Sequence, residues 1–387
     1  MKVNPPPLLN RPQVLLITRN LPPLVGGMER LNWHMADELS RHAEVRLIGP
    51  KGAKALKPKK TTLTEAPLRP LPLFLFVAFY KTLWQALRWK PSTIIAGSGL
   101  TAPLAWLVSR FFGTKSSVYL HGFDITAPSK IYQKLWVPVF KRMDSVIVNS
   151  TPTKKLAMAA GVPKHKIHLV YPGVSLPVAP QPANQISAFK KQHGLEEMKI
   201  LLSVGRLTTR KGLREFVKHA LPRIIEEEPN TVLLIVGEAP KNSLGADIQT
   251  EESIKAQAYT SGVAQHVKFL GVITDQMLLA TVYEASDIHV FPVRHILDDP
   301  EGFGMVAIEA AAHGLPTAAF ATGGVIDAVA DGQSGYLIEN ENYEELSQSV
   351  LQLLKYPSLV KGSCKFAQTF SWRNFGNGIY TAIDPEK

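Results

Sequence analysis

Residues 301–316 read EGFGMVAIEAAAHGLP. Two glutamates, Glu301 and Glu309, bracket a glycine turn, Gly302-Phe303-Gly304, and the start of a helical pattern. That pattern runs from Met305 and Val306 to His313, where Gly314 and then Pro316 stop it. The expected product is a helix N-terminus approached by a loop with few side chains. Its free N–H groups, at Phe303 to Met305, and its positive dipole end suit a phosphate. Carboxylates accept from pairs of hydroxyls, as on a sugar or a ribose. Glu301, before the turn, is placed to reach a polar ligand, and Glu309 lies more than one turn inside the helix. The plain alternative is an amphipathic helix with a glycine lead-in and two solvated glutamates.

Working outward, residues 203–213 read SVGRLTTRKGL. They follow the apolar run Ile200-Leu201-Leu202 and precede an amphipathic segment, Leu213–Ile225. Gly205, Arg206 and Lys211 therefore fall in a strand-to-helix loop, at the end of a parallel strand where ligands of open α/β sheets sit. An Arg fork and a Lys point charge suit a diphosphate. A basic loop of this kind can also be merely solvated. Its pairing with the glycine turn about a hundred residues later favours the functional reading.

The rest of the chain repeats the same grammar. Apolar runs alternate with amphipathic segments, which predicts parallel sheets in an α/β fold. Strands are expected at 14–18, 45–48, 93–96, 117–120, 145–148 and 167–170, and again at 200–204, 232–236, 267–270, 288–291, 317–320 and 336–338. Long helices are expected at 28–41, 101–112 and 130–142. Pro172, Pro177, Pro180 and Pro182 mark a linker. The expected domains are residues 1–183 and 184–370, with a helix, Trp372 to Ile383, in the closing segment 371–387. The N-terminal MKVNPPPLLNRPQ reads as a loose tail without the apolar core of a signal peptide.

Composition narrows the class. The 387 residues are 45% hydrophobic and 19% charged, which suits a folded globular protein and excludes a disordered one. The single cysteine, Cys364, excludes an internal disulfide and suits a reducing, cytoplasmic setting. No Cys/His spacing suggests structural zinc, and no Asp-x-Asp pair suggests a catalytic metal; Asp298-Asp299 is adjacent and precedes a proline. No metal and no resident cofactor are expected.

The net charge of +11 is uneven. Residues 1–180 hold 25 Lys and Arg against 7 Asp and Glu, a formal +18, and the remainder is −7. Such asymmetry points to an anionic partner for the first half, either nucleic acid or an anionic membrane. No nucleic-acid module is recognisable, which favours the membrane surface. Lys51, Lys54, Lys57, Lys59 and Lys60 form a basic loop. The apolar, aromatic segment Leu71–Tyr80 follows, and then Lys81 to Lys90, with Trp84 and Trp89, at helical spacing. This stretch fits an interfacial helix or a core helix beside a solvated loop. The apolar run is too short to span a bilayer alone.

These motifs resemble those of a glycosyltransferase of family 4. The matching pieces, in the family's order, are Gly26-Gly27-Met28-Glu29, His121-Gly122-Phe123-Asp124, Tyr171-Pro172-Gly173-Val174, Gly205-Arg206 with Lys211-Gly212, Glu301 through Glu309-Ala310, and Gly323-Gly324. The resemblance implies the GT-B fold, with two facing Rossmann-like domains and a C-terminal helix returning to the first. It implies a retaining, metal-independent transfer from a UDP- or GDP-sugar, in which the leaving phosphate takes the acceptor proton on one face. Arg206 and Lys211 are then expected on the diphosphate, Glu301 on the sugar, Glu309 on the ribose and His121 on the transferred sugar. Asp124 would orient His121 or cap the next segment. Gly26 and Gly27 would touch phosphate or acceptor, or simply open the first helix. The expected acceptor is a membrane-associated glycolipid or polysaccharide precursor of bacterial type, met at the inner face of the cytoplasmic membrane. A soluble sugar phosphate, or a non-catalytic nucleotide-binding role, is the alternative.

Overall fold

A computed structural model describes residues 11–240, 248–356 and 358–384. Of the expected proline-rich tail, residues 1–13, the first ten lie outside the described residues, and Gln13 already belongs to the first strand. The chain divides into two compact units, with breaks between Gly173 and Val174 and again between Ser371 and Trp372. The first break falls earlier than the expected boundary at residue 183 because the proline stretch is tied to the second unit. There the Val174 N–H donates to Phe370 O at 2.6 Å, and the Gln181 N–H donates to Glu284 Oε2 at 2.6 Å.

The first unit is built on a parallel sheet of β1 (Gln13–Ile17), β2 (Glu44–Pro50), β3 (Thr61–Ala66), β4 (Thr93–Ala96), β5 (Lys115–Leu120), β6 (Ser145–Val148) and β7 (Ile167–Leu169). Their spatial order is β3-β2-β1-β4-β5-β6-β7. The second unit carries β8 (Lys199–Val204), β9 (Thr231–Val236), β10 (Val267–Gly271), β11 (Ile288–Phe291), β12 (Thr317–Phe320) and β13 (Gly335–Ile338), ordered β10-β9-β8-β11-β12-β13. Both sheets therefore reverse their direction of growth once, between β1 and β4 and between β8 and β11. This is the Rossmann arrangement, and the crevice at the reversal is where such sheets bind ligands.

The central strands read as unbroken apolar runs because helices cover both sheet faces. In the second unit, Leu201, Leu233, Val290 and Phe320 belong to one core. Ile200, Leu202, Val232 and Leu234 belong to another, on the opposite face, as the two-residue side-chain period requires.

Strand β3, sequence TTLTEA, was not anticipated. It pairs with β2 in parallel register, Val45 opposite Thr61 through Pro50 opposite Ala66. Its apolar content is low because it is an edge strand, and its threonines carry the β preference instead.

The helix Leu71–Trp89 is two-sided. Phe74, Ala78, Thr82, Ala86 and Trp89 are buried on one face. Leu73, Phe76, Tyr80, Trp84 and Leu87 are exposed, and their three- and four-residue spacing puts them on one stripe. Phe74 and Trp89 are thus core residues, whereas Trp84 faces solvent. Among the described residues no helix is long and apolar enough to cross a membrane.

The helix Trp372–Ile383 belongs to the first unit and packs on the helix Gly27–Leu39. The rings of Trp372 and His34 stack at 3.8 Å, and Gly173 leaves room for Trp372, whose indole carbons would be struck by any Cβ there.

His289 on β11 is fully buried, with Nδ1 3.1 Å from Thr317 Oγ1. Burial, reinforced by Lys211, lowers its pKa to about 3. The unfolded chain takes up this proton near pH 6.5, so stability present at neutral pH is lost as pH falls from that value toward the native one. His289→Asn should flatten this part of the acid limb by up to about 1.4 kcal/mol per pH unit. Urea midpoints at pH 7 and pH 5 check this, and an unchanged difference between them in the variant would count against it.

Candidate active site

In the second unit the loops after β8 and β11 flank the direction reversal, and the expected donor-site residues meet there. The loop after β8 ends in a short turn, Thr209–Lys211, closed by Gly212 at φ +67°. A side chain at Gly212 would strike the Pro292 carbonyl. The Arg294 N–H donates to Arg210 O at 2.8 Å, joining the two loops directly.

The loop after β11 delivers Glu301 to this turn. Lys211 Nζ donates to Glu301 Oε2 at 2.8 Å, and Arg210 Nη1 donates to the same oxygen. Arg210 Nε also lies 3.1 Å from Asp299 Oδ2. All are largely buried: side-chain exposure is 9% for Arg210, 15% for Lys211 and 11% for Glu301. Burial, then the charges of Arg210 and Arg206, press the Lys211 pKa well below the usual lysine value. Its ammonium also lies 4.5 Å from the centre of the Phe291 ring, a cation–π contact.

Arg206 is exposed. It is within electrostatic reach of both inner cations, since its charge lowers each of them. The structure thus brings Lys211 and Glu301 into contact, leaves Arg206 outside, and adds Arg210 and Asp299. Neither addition was anticipated. Arg210 stands beside Lys211 in the sequence, but only the fold reveals its partners.

The helix Met305–Ala312 starts as expected. Gly304 is its N-cap at φ +90°, and no side chain caps it. A Cβ at Gly304 would come within 2.8 Å of the Phe291 ring. Phe303 is buried and packs on Phe370, ring centres 5.7 Å apart. The Ala307 N–H turns back to Gly304 O at 2.9 Å, so Met305 and Val306 supply the first helix N–H groups that could face an anion, one residue further on than the expected Phe303 to Met305 set. Glu309, further along, accepts from Tyr283 OH at 3.3 Å, and its charge raises Lys211. Tyr283 stacks on His313, whose Nδ1 is 2.9 Å from Glu284 Oε1.

Gly323-Gly324, after β12, brace the turn from behind. The Gly324 N–H donates to Glu301 O at 2.8 Å, and a side chain there would strike Gly302 O and Phe303 Cα.

In the first unit, His121 follows β5. Its Nε2 lies 3.0 Å from the Gly97 carbonyl; a carbonyl only accepts, so this nitrogen is the donor of the pair. Asp124 Oδ2 accepts from the His121 backbone N–H at 2.9 Å. It fixes the loop rather than the ring. Gly26 is the N-cap of the Gly27–Leu39 helix, and Gly27 its first residue. A side chain at Gly26 would strike the Glu29 carboxylate, which accepts from Asn20 Nδ2 at 2.7 Å.

A cationic loop after β8 meets a carboxylate-bearing loop after β11 at the reversal point of a Rossmann sheet, beside a glycine turn that opens a helix, an arrangement suited to a phosphorylated ligand. Known proteins agree with that class. Residues 25–177 match the family model described as Glycosyltransferase Family 4, and residues 185–367 match that of Glycosyl transferases group 1. The chain belongs to glycosyltransferase family 4 and has the GT-B type of fold. It is 27% identical, over 94% of its length and 96% of the relative's, to the GDP-mannose-dependent alpha-(1-6)-phosphatidylinositol monomannoside mannosyltransferase of Mycolicibacterium smegmatis. It is 30% identical to the D-inositol 3-phosphate glycosyltransferase of Mycobacteroides abscessus, over 63% of this chain and 52% of that protein. Among solved structures, Anabaena HepE in complex with UDP and glucose aligns with TM-score 0.78 and 19% identity, covering 97% of this chain and all of that one.

The support that Gly324 gives to the turn from Glu301 to Gly304 provides a direct test, because only glycine fits against Gly302 O. Gly324→Ala should destabilise the second unit by about 1–3 kcal/mol and weaken nucleotide binding. Thermal unfolding and calorimetry check both, and a variant that melts and binds like the parent would refute the bracing role.

Proposed function

We infer that the protein is a retaining hexosyltransferase that uses a UDP- or GDP-sugar, without a metal ion, to glycosylate a membrane-associated glycolipid or polysaccharide precursor. The observation that carries this reading is the meeting of Arg210 and Lys211 on Glu301, which stands just before the uncapped N-terminus of the Met305–Ala312 helix, with the exposed Arg206 within electrostatic reach of both cations. Basic side chains and helix N–H groups can stabilise a leaving diphosphate as its charge develops, the task that a divalent cation performs elsewhere. Glu301 and Glu309 are assigned to sugar and ribose hydroxyls. As the bond from the sugar's anomeric carbon to the diphosphate oxygen breaks, the acceptor oxygen bonds to that carbon. Its proton passes to the departing phosphate, so no enzyme nucleophile is needed.

The full-length likeness to a GDP-mannose-dependent enzyme acting on a phosphatidylinositol mannoside favours a GDP donor and a lipid acceptor. The exposed stripe Leu73, Phe76, Tyr80, Trp84 and Leu87, in the unit with the large positive charge, supports contact with an anionic membrane surface at the cytoplasmic side. The likeness to D-inositol 3-phosphate glycosyltransferases favours a second reading, in which the acceptor is a soluble phosphorylated polyol.

Release of GDP and UDP from a panel of nucleotide sugars, with lipid or with soluble acceptors, separates these readings. With the productive pair, Lys211→Ala and Arg206→Ala should each lower kcat/KM by about 2–4 kcal/mol, and excess EDTA should leave the parent active. Normal turnover in both variants, or a loss in EDTA that magnesium restores, would overturn the assignment.

Membrane contact has its own test. Binding to anionic vesicles should exceed binding to neutral ones, fall with salt, and drop when Phe76 and Trp84 are replaced together by serine. Equal sedimentation with both kinds of vesicle, or with neither, would favour the soluble acceptor.

A further inference from the structure

The two inner cations of the proposed donor site are engaged with one carboxylate. Arg210 and Lys211 converge on a single oxygen, Oε2 of Glu301. Among the described residues no hydrogen bond falls on Oε1. Arg210 is held at its other edge by Asp299, 3.1 Å from Nε, and its backbone oxygen accepts from Arg294 N–H at 2.8 Å. It is therefore fixed from three sides. Lys211 has a flexible stem, and its ammonium makes one hydrogen bond, to Glu301, while lying over the Phe291 ring. Of the two, only Lys211 can move without abandoning a second carboxylate.

We propose that Glu301 and the donor diphosphate compete for Lys211, and that Arg210 is the positioning residue that keeps Glu301 in place when Lys211 is transferred. The inference rests on the nucleotide-sugar reading of this site. The shared oxygen offsets two buried cations that would otherwise repel across a short distance. When a diphosphate arrives, Lys211 turns to it, and Arg210 alone must hold the Glu301 carboxylate. Its planar fork can do so while Nε stays in its ion pair with Asp299. Glu301 then keeps its orientation toward the sugar, with Oε1 open to a hydroxyl. Without Arg210, Glu301 would retain Lys211 as its sole counter-ion, and the diphosphate would have to break that pair.

The consequence is a sign change that a merely structural role would not produce. Arg210→Met should weaken GDP or UDP binding about tenfold or more, because Lys211 stays on Glu301. Glu301→Gln should leave that affinity unchanged or raise it several-fold, because Lys211 is released, even as turnover falls. The double variant should regain affinity toward that of Glu301→Gln, giving a strong coupling in the double-mutant cycle.

The measurement is calorimetric titration of each full-length variant with GDP and with UDP, with thermal unfolding to confirm a folded state. Arg210→Lys serves as the variant that keeps a charge without the fork, and it should bind nucleotide better than Arg210→Met. Affinity equally low in Arg210→Met and in the double variant would overturn the competition, as would unchanged affinity in Arg210→Met. Failure of the unsubstituted protein to bind either nucleotide would instead remove the donor-site reading, and this inference with it.

Discussion

One carboxylate oxygen organises the second unit. Glu301 Oε2 takes hydrogen bonds from both Arg210 and Lys211, and the pairing draws the loop after β11 onto the turn after β8. Those strands are neighbours in the sheet, but the connections leaving them run in opposite directions around it. Nothing in the backbone pairing alone would close the gap between their loops. The buried charges do so, supported by Arg294 N–H on the Arg210 carbonyl and by Gly324 N–H on the Glu301 carbonyl. A buried ion cluster is a poor source of net stability because desolvation opposes it. Its value here is positional, since it sets where two carboxylates and two cations stand relative to a helix N-terminus.

Most of the fold was legible because parallel strands covered on both faces must be apolar throughout. Thr93–Ala96, Ser145–Val148, Ile288–Phe291 and Thr317–Phe320 begin and end where the apolar runs do. Strand β3 was not legible, because an edge position asks little apolar content of TTLTEA. The turn from Glu301 to Gly304 and its helix were equally plain, since glycine, periodicity and the Gly314 stop are local signals. The partners of Glu301 were not. Arg210 sits some ninety residues away in the chain, and its choice over Arg206 depends on which side of a short turn faces inward. Composition carries no record of that.

The first unit shows the same limit at its surface. The spacing of Lys81 to Lys90 announced a helix after the apolar run Leu71–Tyr80, and left open whether the stretch was interfacial or core. Only the packed sheet decides that Phe74 and Trp89 go inward and that Phe76, Tyr80, Trp84 and Leu87 stay out. A solitary exposed aromatic needs no explanation, but a continuous stripe does. Part of it is shielded: the Arg88 guanidinium lies 3.9 Å from the centre of the Trp84 ring. A cation over an indole leaves the apolar edge accessible while the charge remains hydrated. That combination is what the proposed contact with an anionic lipid layer would use.

The Arg210-Lys211-Gly212 run shows how local chemistry and tertiary contact depend on each other. Adjacent side chains ordinarily diverge, yet these two reach the same oxygen. The short turn Thr209–Lys211 makes this possible by bringing them round together, and Gly212 ends it at φ +67°. A residue with a side chain would be strained at that φ and would also collide with the Pro292 carbonyl. Gly212 is thus required twice, for its backbone conformation and for the close approach of the loop after β11. That approach is what brings Glu301 within reach of both cations. The three residues act as one device: the glycine admits the neighbouring loop, the arginine holds its carboxylate, and the lysine remains able to leave.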